Sequence, residues 1–413
     1  MNCAISAEEY YKMQRTWDMK VVQINTFSYK AAGNIMMNLH KAMLEKGIDS
    51  YVAWGRGRKA GNNHEFYMND DIGIRLHGIY TRITDKAGFA SQGSTRRLLD
   101  WIDGIDPDII HLHCLHGYYI NIKLLFDYIR AKNKKVIWTQ HDCWAFTGHC
   151  AYFDAVGCEK WKTGCHDCMQ KGTYPASKLM DNSKENWKRK KRLFTGLDMT
   201  IVAPSKWLAN LVKQSFLKEY PVKVIYNGID TSVFRPCFNE EIRKKYSPDG
   251  KPIVLGVASE WTERKGLPDF IALAEGNPDI HVVVVGVTPK QIKHLPDCIT
   301  ALQRTNNVQE LVELYSVADL FFNPTYEDNL PTTNLEAIAC GTPVVTYPTG
   351  GSVEPINNRN GAIVRANDFV NVLACIKRVN RRDRIALDSA FMKETMVDQY
   401  VNLYFMVNKN EIS

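Results

Sequence analysis

The fold of this chain is decided by Pro324-Thr-Tyr-Glu-Asp-Asn-Leu-Pro-Thr-Thr-Asn-Leu-Glu-Ala-Ile-Ala-Cys-Gly-Thr-Pro-Val-Val345. The apolar run before it, Leu320–Phe322, predicts a buried strand, and Thr332–Cys340 has the pattern of a helix. A second buried strand is predicted at Pro343–Thr346. A strand, a helix and a strand in succession are typical of a parallel sheet covered by helices.

The same alternation runs through the rest of the 413 residues, which are too many for one hydrophobic core. It restarts once, after the turn Asn227–Asp230 and a polar stretch that ends at Pro252. The other predicted strands are Val21–Ile24, Ser50–Trp54, Ile109–His113, Val136–Thr139, Thr200–Ala203, Val222–Tyr226, Ile253–Val257 and Val282–Val285. The other predicted helices are Asn34–Lys46, Ile122–Lys132, Leu267–Glu275, Val308–Ser316 and Asp398–Met406. We therefore predict an α/β protein of two Rossmann-like, doubly wound parallel-sheet domains that face a central ligand-binding cleft.

These patterns predict four segments. Residues 1–18 form an N-terminal extension, and residues 19–222 form the first domain, which includes a cysteine-rich loop at 143–168. Residues 223–390 form the second domain. Residues 391–413 form a C-terminal helix that is expected to pack back across the domains.

Composition narrows the function classes. Apolar residues make up 45% of the chain and charged residues 23%, which excludes disorder, collagen and coiled coil as descriptions of the whole. The net charge of +7 suits anionic small substrates or a membrane surface and is too small for a typical nucleic-acid binder. No apolar run approaches the ~20 residues of a membrane span, and residues 1–10 lack the features of a signal peptide. The expected location is the cytoplasm.

The loop within 324–345 has the chemistry of an anion site. Backbone N–H groups of the loop and of the helix that begins near Thr332 point toward the strand ends, which suits a phosphate. Asp328 and Glu336 place carboxylates beside it that can accept hydrogen bonds from sugar or ribose hydroxyls. Alternatively, these acidic residues only complement the helix dipole.

These motifs together resemble the retaining family 4 glycosyltransferases of the GT-B fold. The signature is Asp328, seven intervening residues, and then Glu336-Ala-Ile-Ala-Cys-Gly-Thr-Pro-Val-Val345. The resemblance extends to Ala203–Trp207, Val224–Phe234, Arg264–Gly266 and Leu314–Leu320. The stretch Trp138–Cys150 is most similar to the subgroup that builds bacterial capsule, colanic acid and O-antigen polysaccharides.

The resemblance implies a role for each residue of the loop. Glu336 would bind the ribose hydroxyls of a nucleotide sugar, and Asp328 would bind hydroxyls of the donor sugar. Asp328 stands where the family usually has Glu, and Glu327 could compensate by a shift of one residue. Further donor-binding candidates are Asn329 and Leu330 through their backbone groups, Thr332 and Thr333 at the helix start, and Gly33 in the loop after the first strand. Gly33 is equally well explained by a simple tight turn.

Three further residues are candidates for catalysis. Arg264 and Lys265 follow the predicted strand Ile253–Val257, where their charges would stabilise a departing diphosphate. The alternative is a solvated basic pair at a helix start. His141 ends the predicted strand Val136–Thr139, where the family commonly has a histidine near the donor sugar, although a buried structural histidine would also fit this position. His111 and His113 are expected to be structural or to lie near the acceptor.

A cysteine cluster and a basic segment complete the list of candidates. Cys150, Cys158, Cys165 and Cys168 could hold a structural zinc ion with four thiolates, although they contain only one Cys-x2-Cys pair. Reduced unligated thiols or a disulfide pair are the alternatives. Catalysis itself is expected to need no metal, as in the family. Lys184–Arg192 holds six basic residues and a tryptophan that suit either contact with a membrane surface or a solvated helix face.

The sequence thus predicts a metal-independent enzyme that moves a sugar from a UDP- or GDP-linked donor to a growing oligosaccharide. The acceptor is expected to be linked to a polyprenyl diphosphate at the cytoplasmic face of the membrane, in the synthesis of a bacterial surface polysaccharide. Two rival functions remain, a nucleotide-sugar epimerase of related fold and a non-catalytic, zinc-stabilised glycan-binding module.

Overall fold

The structure, a computed structural model, describes residues 19–378 and 385–411. The proposed extension 1–18 lies outside the described residues. The chain divides into two compact units, each with its own sheet and hydrophobic core. Unit 1 contains the residues up to Ile225 together with those from Val397 onward, and unit 2 runs from Tyr226 to Met396.

Unit 1 is built on a parallel sheet of seven strands. The strands are β1 (Lys20–Phe27), β2 (Asp49–Arg56), β3 (Glu65–Tyr67), β4 (Ile109–Leu112), β5 (Lys135–Thr139), β6 (Met199–Ala203) and β7 (Val222–Val224), in the spatial order β3-β2-β1-β4-β5-β6-β7. The helices are α1 (Lys30–Glu45), α2 (Asp71–Thr84), α3 (Gln92–Ile105), α4 (Ile122–Ala131), α5 (Ser183–Phe194) and α6 (Lys206–Val212). Helices α2, α4 and α6 begin at a capping side chain; at α4 the side chain of Asn121 accepts a hydrogen bond from Leu124 N at 3.1 Å.

Unit 2 is built on a parallel sheet of six strands. The strands are β8 (Ile253–Val257), β9 (His281–Val285), β10 (Ile299–Leu302), β11 (Leu320–Asn323), β12 (Val344–Thr346) and β13 (Gly361–Ile363), in the order β10-β9-β8-β11-β12-β13. The helices are α7 (Glu240–Tyr246), α8 (Leu267–Gly276), α9 (Pro289–Ile292), α10 (Val308–Val317), α11 (Thr332–Ala339) and α12 (Phe369–Arg378). Strands β8 and β11 are neighbours, with Leu320 opposite Val254. Loops that follow these two strands therefore leave the same edge of the sheet.

Two Rossmann-like parallel sheets confirm the predicted α/β class. The strands that the sequence did not predict, β3, β10 and β13, all lie at sheet edges. An edge strand has one neighbour and is less buried, so its residues need not form a continuous apolar run. Three of the four residues of β10 are only partly buried or exposed, for example.

The last helix, α13 (Lys393–Asn408), begins in unit 2, and its residues from Val397 belong to unit 1. Within unit 1 the Tyr400 hydroxyl forms a hydrogen bond of 2.9 Å with Thr139 Oγ1, and the Tyr404 hydroxyl forms one of 2.6 Å with His111 Nδ1. Both tyrosines are buried. In the part of the chain that the structure describes, every helix is too short or too polar to cross a membrane.

Candidate active site

The candidate site of unit 2 lies at the carboxyl ends of β8 and β11. A 3₁₀ turn, Glu263–Lys265, follows β8, and a loop over residues 324–331 follows β11 and leads into α11. Gly266 has φ +73°, and a Cβ at this position would lie 2.2 Å from the carbonyl oxygen of Pro324. Only glycine allows the two loops to approach this closely. The structure thus brings together residues that are about sixty positions apart in the sequence.

Lys265 and Asp328 form an ion pair at the centre of this site. The Lys265 ammonium donates a hydrogen bond to Asp328 Oδ2, and the side chains are 22% and 12% exposed. The other oxygen, Oδ1, accepts a hydrogen bond from the backbone N–H of Asn329 at 3.0 Å. Burial by itself would raise the pKa of Asp328, but Lys265 and Arg264 with these hydrogen bonds bring it below its ordinary value. The carboxylate is therefore ionised at neutral pH.

Arg264 fixes the shape of the loop rather than projecting freely from it. Its guanidinium donates a hydrogen bond to the carbonyl oxygen of Glu327, and its own carbonyl accepts one from Tyr326 N at 2.9 Å. Glu327 itself is buried. These contacts exclude the interpretation of Arg264 and Lys265 as a solvated basic pair, and they keep two positive charges beside Asp328.

Glu336 lies in α11, the helix that the loop enters. Its carboxylate accepts hydrogen bonds from the Tyr315 hydroxyl, at 3.0 Å, and from the side chain of Thr332. Burial raises the pKa of Glu336, and these two hydrogen bonds partly oppose that rise. The helix start has no side-chain cap and no acidic residue in its first turn, and its dipole favours an anion there.

The remaining donor-binding candidates differ in what they can offer a ligand. Asn329 and Leu330 are buried, and Leu330 packs in the core of unit 2, which leaves it only backbone groups for binding. The backbone N–H of Asn329 already donates a hydrogen bond to the carboxylate of Asp328. Thr333 is partly exposed at the start of α11.

Gly33 lies in unit 1, buried within α1. A Cβ at this position would lie 2.6 Å from the carbonyl oxygen of Phe27. Close packing of the helix on the end of β1 therefore explains this glycine without a ligand. Donor binding by Gly33 stays a prediction.

His141 also lies in unit 1, directly after β5, and belongs to a row of three histidines. Its Nε2 shares a hydrogen bond of 3.0 Å with Nδ1 of His113, and the two rings are stacked. Burial lowers the pKa of His141 to about 4, so the ring is neutral at pH 7. His111 and His113 are fully buried, and both ring nitrogens of each are hydrogen-bonded, which fits the structural role expected for them.

A second histidine beside the same strand ends was missed from the sequence. His116 Nε2 lies 2.7 Å from Asp142 Oδ2, and each side chain is about 15% exposed. Its Nδ1 is 3.0 Å from the Tyr174 hydroxyl. Burial would lower the pKa of His116, but Asp142 raises it well above the ordinary value. Only the strand order, which pairs β4 with β5, brings these residues together.

The four cysteines of the predicted zinc site line one small cavity of about 20 Å³, together with His149 and Trp161. Cys150 and Cys168 are hydrogen-bonded to each other, which raises the pKa of Cys150 and lowers that of Cys168 to about 7. Within residues 19–378 and 385–411, no three His, Cys, Asp or Glu side chains are arranged so that they could hold a metal ion. Zinc binding stays a prediction.

The basic segment Lys184–Arg192 falls within α5, and the structure corrects which of its residues can face a membrane. Lys190 and Trp187 are buried, and Lys190 Nζ donates hydrogen bonds to the carbonyls of Trp144 and Thr147 at 2.7 and 3.1 Å. Burial lowers the pKa of Lys190 to about 7. The exposed cations are Lys184, Lys188, Lys191 and Arg192.

Two family models match the chain and together span most of it. Residues 32–233 match the model described as Glycosyltransferase Family 4, and residues 238–381 match the model for glycosyl transferases group 1. The chain is a family 4 glycosyltransferase. The family resemblance inferred from the 328–345 signature is thereby confirmed.

Relatives and solved structures agree with this family. A colanic acid biosynthesis glycosyl transferase, WcaC of Escherichia coli, is 24% identical over 94% of this chain and 99% of its own length. An N-acetylgalactosaminyltransferase of Campylobacter jejuni that acts on N,N'-diacetylbacillosaminyl-diphospho-undecaprenol is 29% identical over 49% of this chain and 59% of its own.

Among solved structures, sucrose-phosphate synthase of Thermosynechococcus elongatus matches with a TM-score of 0.67 at 16% identity, over 94% of this chain and 99% of that one. Anabaena HepE in complex with UDP and glucose matches with a TM-score of 0.61 at 15% identity over the same shares. These likenesses establish the GT-B fold of this glycosyltransferase.

Proposed function

We propose that this glycosyltransferase moves a sugar from a UDP- or GDP-linked donor to an oligosaccharide that grows on a polyprenyl diphosphate, with retention of anomeric configuration. The product would be a bacterial surface polysaccharide such as a capsule, exopolysaccharide or O-antigen. The names of two relatives support this assignment, since one belongs to colanic acid biosynthesis and the other uses an undecaprenyl diphosphate-linked acceptor.

The observation that carries the proposal is the Lys265–Asp328 pair beside the uncapped start of α11. A nucleotide sugar carries its negative charge on the diphosphate, and that charge grows as the glycosidic bond breaks. Lys265, Arg264 and the N–H groups at Thr332 would stabilise the leaving diphosphate. Asp328 would then hold donor-sugar hydroxyls, and Glu336 would hold those of the ribose.

The acceptor is proposed to bind unit 1. His141, whose ring is neutral at pH 7 and is held by His113, would help to position the acceptor hydroxyl through a hydrogen bond. A same-face displacement fits retention: the diphosphate leaves, the acceptor hydroxyl attacks the same face, and a leaving phosphate oxygen takes its proton. The protein would work at the cytoplasmic membrane face, where such acceptors present their sugars.

Thermal-shift measurements with UDP, GDP, CMP and their sugar conjugates test the donor assignment. A ligand at ~100 times its Kd adds about 2.7 kcal/mol to stability, which should raise Tm by several degrees with one nucleotide class. NMR of the product formed with a lipid-linked acceptor should find the anomeric configuration of the donor. If folded protein responds to no nucleotide, or interconverts a nucleotide sugar without any acceptor, the transferase proposal is wrong.

A further inference from the structure

Four cations of unit 1 form a group that we call the cationic edge. They are Lys30, Arg56, Arg58 and Arg82. Arg56 ends β2, and Lys30 begins α1 directly after β1, so both belong to the carboxyl edge of the sheet. None of the four lies within 4.0 Å of a carboxylate oxygen among the described residues, although Lys46, at the end of α1, pairs with Asp398.

Aromatic rings hold three of these cations in place. Lys30 Nζ lies 4.5 Å and Arg56 Cζ 5.2 Å from the centroid of the Phe27 ring. Arg58 Cζ lies 5.9 Å from the Tyr29 ring, which packs edge-on against Phe27 at 5.3 Å. A cation over an aromatic face keeps its full charge, because the ring carries no net charge. Three positive charges are thus concentrated around one aromatic pair.

The local backbone is built for this arrangement. Gly57, between the two arginines, has φ +111°, and a Cβ there would lie 2.4 Å from Cε1 of Tyr29. Any other residue would push the Tyr29 ring away and displace Arg58 with it. Only glycine leaves room for the ring at this point of the chain.

Arg82 and Tyr118 extend the positive surface along the same edge. A Cβ on Gly78 would lie 3.1 Å from Arg82 Nη1 and 3.7 Å from the Tyr118 ring, so the arginine lies alongside that ring. Burial and Tyr174 raise the pKa of Tyr118 to about 12, while Arg82, His116 and Arg56 oppose the rise. The positive charges of Arg82 and Arg56 thus act on the Tyr118 hydroxyl, which can itself donate a hydrogen bond to an anion.

We propose that the cationic edge binds the diphosphate of the lipid-linked acceptor. The inference rests on the proposed function and assigns residues to the acceptor that the donor machinery of unit 2 does not use. Guanidinium groups bind phosphate oxygens in pairs through parallel N–H groups, and two arginines beside a lysine more than neutralise the two negative charges of a lipid-linked diphosphate.

Calorimetric titration with farnesyl diphosphate, a short water-soluble probe, tests this assignment in the full chain. Arg56→Gln and Arg82→Gln are each expected to weaken binding about tenfold, because each loses a charge-assisted pair of hydrogen bonds. Arg75→Gln is the matched control, since Arg75 is an exposed arginine of the same helix as Arg82 and makes no ion pair among the described residues. Its affinity should match that of the wild type. With lipid-linked acceptor, R56Q and R82Q should raise KM for the acceptor and leave KM for the donor unchanged.

Three results would overturn the assignment. Binding of the probe that persists in R56Q and R82Q but disappears in Lys265→Ala would place the diphosphate at the donor site. If R75Q weakens binding of the probe as much as R82Q does, the effect comes from the general surface charge and not from the cationic edge. If R56Q and R82Q lose binding to phosphatidylglycerol vesicles but still bind farnesyl diphosphate, the cationic edge is a membrane contact. Nucleotide binding is measured in parallel, and its absence in the wild type would instead contradict the proposed donor function.

Discussion

Lys265 and Asp328 form an ion pair across two loops that follow neighbouring strands, β8 and β11. Each of the two groups was expected to meet a different part of the donor, the lysine a phosphate and the aspartate a sugar. In the structure they satisfy each other. Under the proposed function, donor binding would exchange this contact for contacts with the substrate, and the ion pair would hold both charges in place until then.

The first prediction concerns this pair. Lys265→Ala should lower kcat by about 100-fold to 1,000-fold, the usual cost of removing one group that stabilises developing charge. It should also lower Tm, because Asp328 loses its partner while partly buried. Adding Asp328→Asn should recover Tm without recovering activity. Lys244→Ala, on an exposed lysine of unit 2, is the control; full activity in K265A would remove Lys265 from the mechanism.

The second prediction separates ribose binding from phosphate binding. Glu336→Gln keeps an acceptor for the Tyr315 hydroxyl but loses the charge. We expect nucleoside diphosphate affinity to fall about tenfold, since hydrogen bonds to charged groups contribute about 1.5–3 kcal/mol. Pyrophosphate affinity should stay unchanged. Calorimetric titration with both ligands tests this expectation, and Glu275→Gln, on an exposed residue, is the control. If Glu336→Gln weakens the binding of nucleoside diphosphate and of pyrophosphate equally, Glu336 does not contact the ribose.

The third prediction is acid sensitivity of unit 1. Burial lowers the pKa of His40, His77 and His141 to about 4 and that of His111 to about 3. As pH falls below 6.5, these histidines bind protons in the unfolded chain but not in the folded chain. The free energy of unfolding that they contribute above pH 6.5 is therefore lost as pH falls toward 4. Each such histidine contributes a slope of about 1.4 kcal/mol per pH unit.

Urea unfolding at pH 7, 6 and 5 measures this slope. His111→Asn should make it shallower by the share of one histidine. His116 and His149 act in the opposite sense, since their pKa values are raised and their contribution is lost only at higher pH. A stability that does not change between pH 7 and pH 5 would contradict the assignment of neutral buried histidines.

The fourth prediction separates packing from membrane contact on α5. Lys190→Met should lower stability by about 1–3 kcal/mol or more, because the carbonyls of Trp144 and Thr147 lose their donor. It should leave binding to anionic vesicles unchanged. Replacing Lys184, Lys188, Lys191 and Arg192 by Gln should do the reverse. Vesicle co-sedimentation and thermal melts test both variants, and unchanged sedimentation of the quadruple variant would end the membrane proposal for this helix.

The fifth prediction concerns metal. If the four cysteines bind the zinc ion predicted from the sequence, elemental analysis of protein purified with reductant should find about one zinc ion per chain, and Cys165→Ser should remove it and lower Tm. Cys298→Ser, on an exposed cysteine, should keep the metal. Protein that is stable and metal-free under these conditions would leave the four cysteines as ordinary thiols.

The sequence predicted central strands and the site loop well because both depend on local patterns. The four valines of β9 and the 328–345 signature are visible without any tertiary information. The edge strands β3, β10 and β13 were missed because their burial is partial. Partners such as Tyr315 for Glu336, or Asp142 for His116, lie 21 and 26 positions away and follow only from strand order. The residue types of Tyr315 and Asp142 alone do not indicate that they contact Glu336 and His116.

The division of α13 between the units has a consequence for synthesis on the ribosome. Residues 226–396 contain all of unit 2, whereas unit 1 still lacks Tyr400 and Tyr404 when unit 2 is complete. Until those tyrosines emerge, the buried groups of Thr139 and His111 have no hydroxyl partner from the helix. The domain that begins first along the chain therefore finishes last, and its nascent form is the species most in need of a chaperone.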